Sequence, residues 1–174
     1  GYELGYRYKN NPRAFGLESV FFLTDLSNLI VVDSVGGSGG GLGVTESAGS
    51  VRSWGFEFQT QYDPGLNFQW GFQNPWHANF TYTNAKFTEV NPSTSAESVF
   101  SAAAVGNFVP YIPQWQFNVG TGLIIRKFSV NADVRYVAET FATGNNSSSQ
   151  INPLTGVLDS RFGTTDSFAV LDLS

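Results

Sequence analysis

Few side chains in this sequence could do chemistry, and they are not grouped for it. Glu18, Glu57, Asp133 and Arg135 are charges set inside otherwise alternating segments. Catalytic carboxylates work as paired groups with shifted pKa values. Residues lining a wet lumen need neither property, and Glu57, His77, Asn131, Asp133 and Arg135 are read as lumen-lining. His77 is the sole histidine, and the chain has no Cys, so the partners of a zinc-type site are missing and no metal site is expected. The glycine-rich run 36–43 lacks the Gly-Lys-Ser/Thr ending of a phosphate-binding loop, and no helical pattern follows it. It reads as a mobile loop. Asn79-Phe80-Thr81 and Asn146-Ser147-Ser148 match the N-glycosylation pattern; the first lies mid-strand, and neither would carry meaning if the protein were bacterial. No Ser/His/Asp arrangement can be assembled, so neither an enzyme nor a cofactor is expected.

The elements that position these groups are alternating strands. Across residues 128–138 the even positions hold Phe128, Val130, Ala132, Val134, Tyr136 and Ala138. Ser129, Asn131, Asp133 and Arg135 take the odd ones. Successive side chains of a strand point to opposite faces, so one face is apolar and the other carries both an acid and a base. A helix would not sort Asp133 from Val134 in this way. Alternation alone leaves open whether the apolar face meets a protein core or lipid.

Composition narrows that choice. Charged residues make up 13% of the 174, about half the ~25% usual for soluble domains, while aromatics reach 16%. A net charge of −5 argues against a nucleic-acid partner. No run of ~18 apolar residues is present, so no transmembrane helix is expected. The chain contains no Met, and its first residue is therefore read as that of a processed or partial chain.

Six further stretches alternate: residues 1–8, 14–32, 51–62, 76–87, 115–125 and 165–174. A bend or bulge is expected at 25–28, a slip of phase near Asn84, and a short extension of the hairpin at 66–72. The connectors run short, long, intermediate, long, short, long. A meander with tight turns at one end and large loops at the other gives this order, as in transmembrane β-barrels. Strands of about ten residues suit a tilted bilayer crossing. Tyr8, Tyr62 and Trp76 fall at the short-turn end, and Trp54, Trp115 and Tyr136 toward the long-loop end. These are the positions of two interfacial aromatic girdles. The alternative is a soluble or surface β-protein with aromatics filling a sandwich core.

Several segments carry a family resemblance. They are Tyr2-Glu3-Leu4-Gly5-Tyr6-Arg7, Phe21-Phe22-Leu23-Thr24-Asp25-Leu26-Ser27-Asn28, Gly49-Ser50-Val51-Arg52-Ser53-Trp54-Gly55-Phe56-Glu57, Ala78-Asn79-Phe80-Thr81-Tyr82-Thr83-Asn84-Ala85, Gly106-Asn107-Phe108-Val109-Pro110-Tyr111-Ile112-Pro113 and Asp166-Ser167-Phe168-Ala169-Val170-Leu171-Asp172-Leu173-Ser174. In order and spacing they resemble the barrel of TonB-dependent outer-membrane receptors, and within that family the ferric-citrate and ferric-siderophore receptors. Trp54 departs from the pattern, since a basic residue is common there.

The resemblance implies an all-β, antiparallel up-and-down transmembrane barrel in a bacterial outer membrane. This chain would supply about seven strands of a 22-stranded barrel. Seven strands cannot close a barrel, so both edge strands should lack a partner within the chain. The plug domain, the TonB-contacting segment and the closing strands would lie outside it. The transported ligand would be a ferric chelate, an iron-siderophore or ferric citrate. Its other partners would be the TonB complex, through the N-terminal region, and outer-membrane lipid. Ligand-facing candidates in the long loops are Asp33, Ser34 and Glu46, then Asn107 and Gln114, then Asn145 and Asn146. A passive porin without a plug is the alternative transport reading.

Overall fold

A computed structural model describes residues 1–33, 44–47, 49–91, 99–100, 102–152 and 155–174, with the backbone alone for 31–33 and 44–46. Among the described residues eleven strands follow one another: β1 (Tyr2–Asn10), β2 (Phe15–Leu26), β3 (Ile30–Asp33), β4 (Val44–Ser47), β5 (Ser50–Tyr62), β6 (Trp76–Glu89), β7 (Trp115–Ile125), β8 (Phe128–Val137), β9 (Thr140–Phe141), β10 (Thr164–Thr165) and β11 (Phe168–Leu173). A 3-10 turn at Asn11–Arg13 joins β1 to β2, and one helical turn, α1 (Pro64–Asn67), follows β5.

Seven strands form one antiparallel sheet in the order β1-β2-β5-β6-β7-β8-β11. This is the expected meander. Two small hairpins, β3–β4 and β9–β10, stand apart from it inside the long connectors. β1 and β11 do not pair with each other, so the sheet is open, with Tyr2 79%, Leu4 75% and Leu173 71% exposed along its edges.

Register makes the alternation coherent across strands. One row reads Tyr8, Leu17, Thr60, Ala78, Val119, Val134 and Leu171. The adjacent row, on the opposite face, reads Arg7, Glu18, Gln59, Asn79, Asn118, Arg135 and Val170. The apolar face is not covered: Phe56, Trp115, Phe117, Val119, Leu123, Val130 and Val134 are all exposed. A contiguous apolar face of this extent does not belong in water.

Aromatic rings crowd both ends of that face. Toward the long loops, Phe21, Trp54, Tyr82 and Trp115 make successive ring contacts at 6.5, 5.4 and 4.4 Å, and Phe117 stacks on Tyr136 at 5.2 Å. At the short-turn end Tyr8, Phe15 and Tyr62 are joined at 6.1 and 6.2 Å, with Trp76 beside Tyr62 in register.

The expected slip of phase near Asn84 does not occur. Pairing of β5 with β6 is regular from Tyr62↔Trp76 to Val51↔Phe87 and shifts only between Ser50 and Val51. What changes near Asn84 is polarity. Below it the apolar residues share the face of Phe80 and Tyr82. Above it that face carries Asn84, Lys86 and the Asp25–Arg52 ion pair. The opposite face now turns apolar, and Val51, Ala85 and Phe87 are buried there under Leu29, Val90, Phe100, Ala103 and Val109. The hydrophobic signal swaps sides because the long connector folds over the other face. The backbone keeps its phase.

Two further expectations are corrected. The second strand ends at Leu26 rather than continuing to residue 32. Asn28 takes a left-handed conformation (φ 55°), and the chain turns into the separate β3–β4 hairpin. The 66–72 connector is not a hairpin extension. The Asp63 carboxylate accepts from both Leu66 N–H and Asn74 N–H at 3.0 Å, so one buried side chain caps α1 and fixes the returning strand.

Candidate functional site

The polar face is a wall of amides, hydroxyls and paired charges. Arg7 and Glu18, opposite each other on β1 and β2, form a two-pronged pair at 2.9 and 2.6 Å. Along the same row Gln59, Asn79, Asn118 and Arg135 continue to β8. Asn79, Thr81, Gln116, Asn118 and Arg135 line a hollow of about 180 Å³.

The next row contains His77, Gly120 and Asp133. His77 and Asp133 are separated by the intervening strand β7, yet His77 Nε2 lies 2.9 Å from Asp133 Oδ1 and 3.1 Å from Asn118 Oδ1. Gly120 permits this. A Cβ there would meet both the Asp133 carboxylate and the His77 ring. The sequence suggested a shared face for His77 and Asp133. It did not suggest contact, and the signal that could have done so is the glycine between them in register. Asn131 borders Gly122 and reaches Ser174 Oγ at 3.4 Å. Glu57 is exposed on the same face, and no described side chain bonds to its carboxylate. No group of three or more potential metal ligands occurs among the described residues. The face can hydrogen-bond a polar solute in many orientations, and on it Asp133 and Asp172 stand opposite each other in register across β8 and β11.

Beyond the strands, the second and third long connectors are fastened together. Asn107 Nδ2 donates to Gly144 O at 2.8 Å. Asn146 accepts from Phe108 N–H at 2.5 Å and donates to Phe108 O at 2.9 Å, so its side-chain amide imitates a strand partner. Backbone bonds Tyr111 N–H to Phe141 O and Gly144 N–H to Val99 O add to the seam, and Phe108 stacks on Phe141. Asn145 Oδ1 accepts from Thr143 Oγ1 and Ser147 N–H within its own turn. These amides hold loops, and a ligand would have to displace those bonds to use them. Gln114 is half-buried at the edge of a cavity of about 530 Å³ shared with Ile112, Trp115, Glu139 and Phe141. Asp33 and Glu46 sit on β3 and β4, but their side chains lie outside the described residues, as does Ser34 altogether. In the third loop the Arg161 guanidinium, then its backbone N–H, hold the Asp159 carboxyl down to a pKa of about 2.

A family model described as "TonB dependent receptor-like, beta-barrel" matches residues 1–174. The chain belongs to the TonB-dependent receptor family. Within that family its sheet is a stretch of barrel, and the open edges are where further strands attach. Among solved structures, the ferric citrate transporter FecA in its unliganded form is 21% identical, with a TM-score of 0.69 over 98% of this chain and 22% of FecA. The ferric yersiniabactin uptake receptor FyuA of Yersinia pestis is 20% identical, with a TM-score of 0.61 over 99% of this chain and 21% of FyuA. The iron transporter FrpB of Neisseria meningitidis is 16% identical, with a TM-score of 0.58 over 98% of this chain and 23% of FrpB. The chain thus spans about a fifth of each of these receptors. No curated protein matches it in sequence.

Proposed function

We propose that this chain is barrel wall and outer loop of a receptor that carries a ferric chelate, a siderophore complex or ferric citrate, across a bacterial outer membrane. Uptake would be driven by TonB through a plug and an N-terminal coupling segment outside these residues. The observation that carries the reading is the full-length family match on a sheet that is apolar and uncovered on one face and polar on the other. In a bilayer the apolar face meets lipid, and backbone pairing between neighbouring strands satisfies every interior polar group. The polar face then lines the lumen, and the long connectors lie at the outer end, where a chelate arrives.

The chemistry assigned to this segment is non-covalent. Asn79, Asn118, Gln116 and Arg135 offer exchangeable hydrogen bonds, which a passing solute can make and break in turn. Asp33, Ser34, Glu46 and Gln114 remain the loop positions proposed to face the ligand, and Asn107, Asn145 and Asn146 would reach it only by giving up the bonds that hold the loops. The test is equilibrium binding of ferric citrate and a panel of ferric siderophores to the intact receptor, followed by uptake with and without TonB. Saturable binding and TonB-dependent uptake of one of them are expected. Absence of saturable binding for all of them rejects the chelate reading, and uptake that is independent of TonB favours a passive channel.

A further inference from the structure

The short-turn end of the sheet carries a feature that lies outside the proposed ligand-facing loops. In α1 and the connector that follows it, Leu66, Phe68 and Trp70 are exposed. Phe68 stacks on Trp70 at 5.9 Å, and Trp70 contacts Phe72 at 5.5 Å. This ledge is ordered. Trp70 N–H donates to Gly65 O, Gln73 pairs with Ile124 through two backbone bonds of 3.1 and 2.9 Å, and Asp63 clamps both ends. The ledge adjoins the Arg126–Lys127 turn through a cavity of about 490 Å³ lined by Leu66, Phe72, Ile124 and Arg126. It also continues the aromatic girdle: Asn67 Nδ2 donates to Tyr62 OH at 3.0 Å, and Trp76 Nε1 donates to Asn74 Oδ1 at 2.8 Å.

Charge at this end is one-sided. Lys9, Arg13, Arg126 and Lys127 are exposed there. From residue 9 to 16, 60 to 76 and 121 to 131 the single acid is Asp63, which is buried and spent on backbone N–H groups. An exposed aromatic ledge beside unpaired cations, continuous with a lipid-facing girdle, has the make-up of an interfacial anchor.

We propose that the 64–72 ledge and the Arg126–Lys127 turn form a docking surface for anionic phospholipid in the leaflet at the short-turn end. Phe68 and Trp70 sit among the upper acyl carbons, and the cations of the turn meet lipid phosphates. The inference rests on the barrel reading but not on the identity of any transported chelate.

The test places the intact receptor in nanodiscs of phosphatidylcholine containing an equal mole fraction of either brominated phosphatidylglycerol or brominated phosphatidylcholine. The Trp70 signal is the difference between the native receptor and Trp70→Phe. Stronger quenching by the brominated phosphatidylglycerol is expected. Arg126→Asn with Lys127→Gln should lower that preference by about five-fold per charge removed. Arg126 lies at φ 55°, which Asn tolerates, so the first change removes charge without straining the turn. Equal quenching by the two lipids overturns anionic selectivity. Quenching of Trp70 by aqueous iodide alone, or by no probe at all, overturns lipid contact. A receptor that binds no ferric chelate would leave each of these outcomes readable.

Discussion

Arginine placed along the apolar stripe of β8 should report membrane depth residue by residue. A strand rises ~3.4 Å per residue, and a tilt of ~40° reduces this to ~2.6 Å of height. Phe128 and Tyr136 are then each ~10 Å from Ala132, inside half of an apolar band ~25 Å tall. Ala132 marks the midplane, Val130 and Val134 lie ~5 Å from it, and Phe128 approaches the interface. Arginine costs ~2–4 kcal/mol at the midplane and ~0–1 near the interfaces. Ala132→Arg is therefore expected to destabilise by ~2–4 kcal/mol, Val130→Arg and Val134→Arg by ~1–3, and Phe128→Arg by ~0–1. On the opposite face Asn131→Ala should cost less than ~1 kcal/mol, because its contact with Ser174 is long and exposed. The assay is reversible denaturant unfolding of the intact barrel in lipid vesicles, followed by tryptophan fluorescence. A flat profile, or a peak at Phe128, would refute the depth assignment. A larger loss at Asn131 than at Ala132 would mean that the two faces are exchanged.

Other outcomes follow from local geometry. A Cβ on Gly55 would strike the Tyr82 carbonyl and the Phe22 ring, so Gly55→Ala should destabilise by more than ~1 kcal/mol. At Gly120 the nearest atoms a Cβ would meet belong to the movable His77 and Asp133 side chains, so Gly120→Ala should alter stability by less than ~1 kcal/mol while separating that pair, as unfolding and the His77 ring NMR shifts would show. Asn146→Ala removes both side-chain bonds to Phe108 and should speed amide exchange at residues 106–111 and 141–146 while leaving β7 and β8 protected. The Asp159 carboxyl titrates lower in the folded loop than in an unfolded chain. Its contribution is therefore fully present above pH ~4 and lost as the pH falls toward 2. Amide exchange near Asp159, corrected for the intrinsic pH dependence, should hold steady from pH 7 to 5, and Asp159→Asn should raise it throughout that range.

The strands were legible because lipid and lumen impose a strict two-residue period. Along β7 Trp115, Phe117 and Val119 take one face and Gln116 and Asn118 the other. Legibility ends where a segment's environment is supplied by residues distant in sequence. Ala85 and Phe87 looked out of phase because the chain that buries them, near Phe100 and Val109, folds back from farther along. The same holds for Asn107 and Asn146. As polar loop residues they suggest ligand contact, and only the folded loops reveal that each amide serves a backbone partner on the neighbouring connector. His77 and Asp133 lie 56 positions apart in the numbering, and a glycine on a third strand decides their meeting. The 63–75 connector combines two prolines, two left-handed residues and an aspartate cap, and no periodicity announces such a turn.

The inversion of polarity above Tyr82 has a mechanical consequence. Above the row of Leu23, Trp54 and Asn84 these strands offer hydrocarbon no apolar outer face, and their inner face is sealed by loops into a core of its own. A thicker bilayer cannot climb past this boundary, because Asn84, Lys86 and the Asp25–Arg52 pair would have to be dehydrated. Mismatch between protein and membrane must then be absorbed at the opposite rim, where Phe68 and Trp70 extend the greasy surface beyond the girdle. The wall is pinned at one boundary and compliant at the other, and the loop cap keeps its shape while the membrane around it changes.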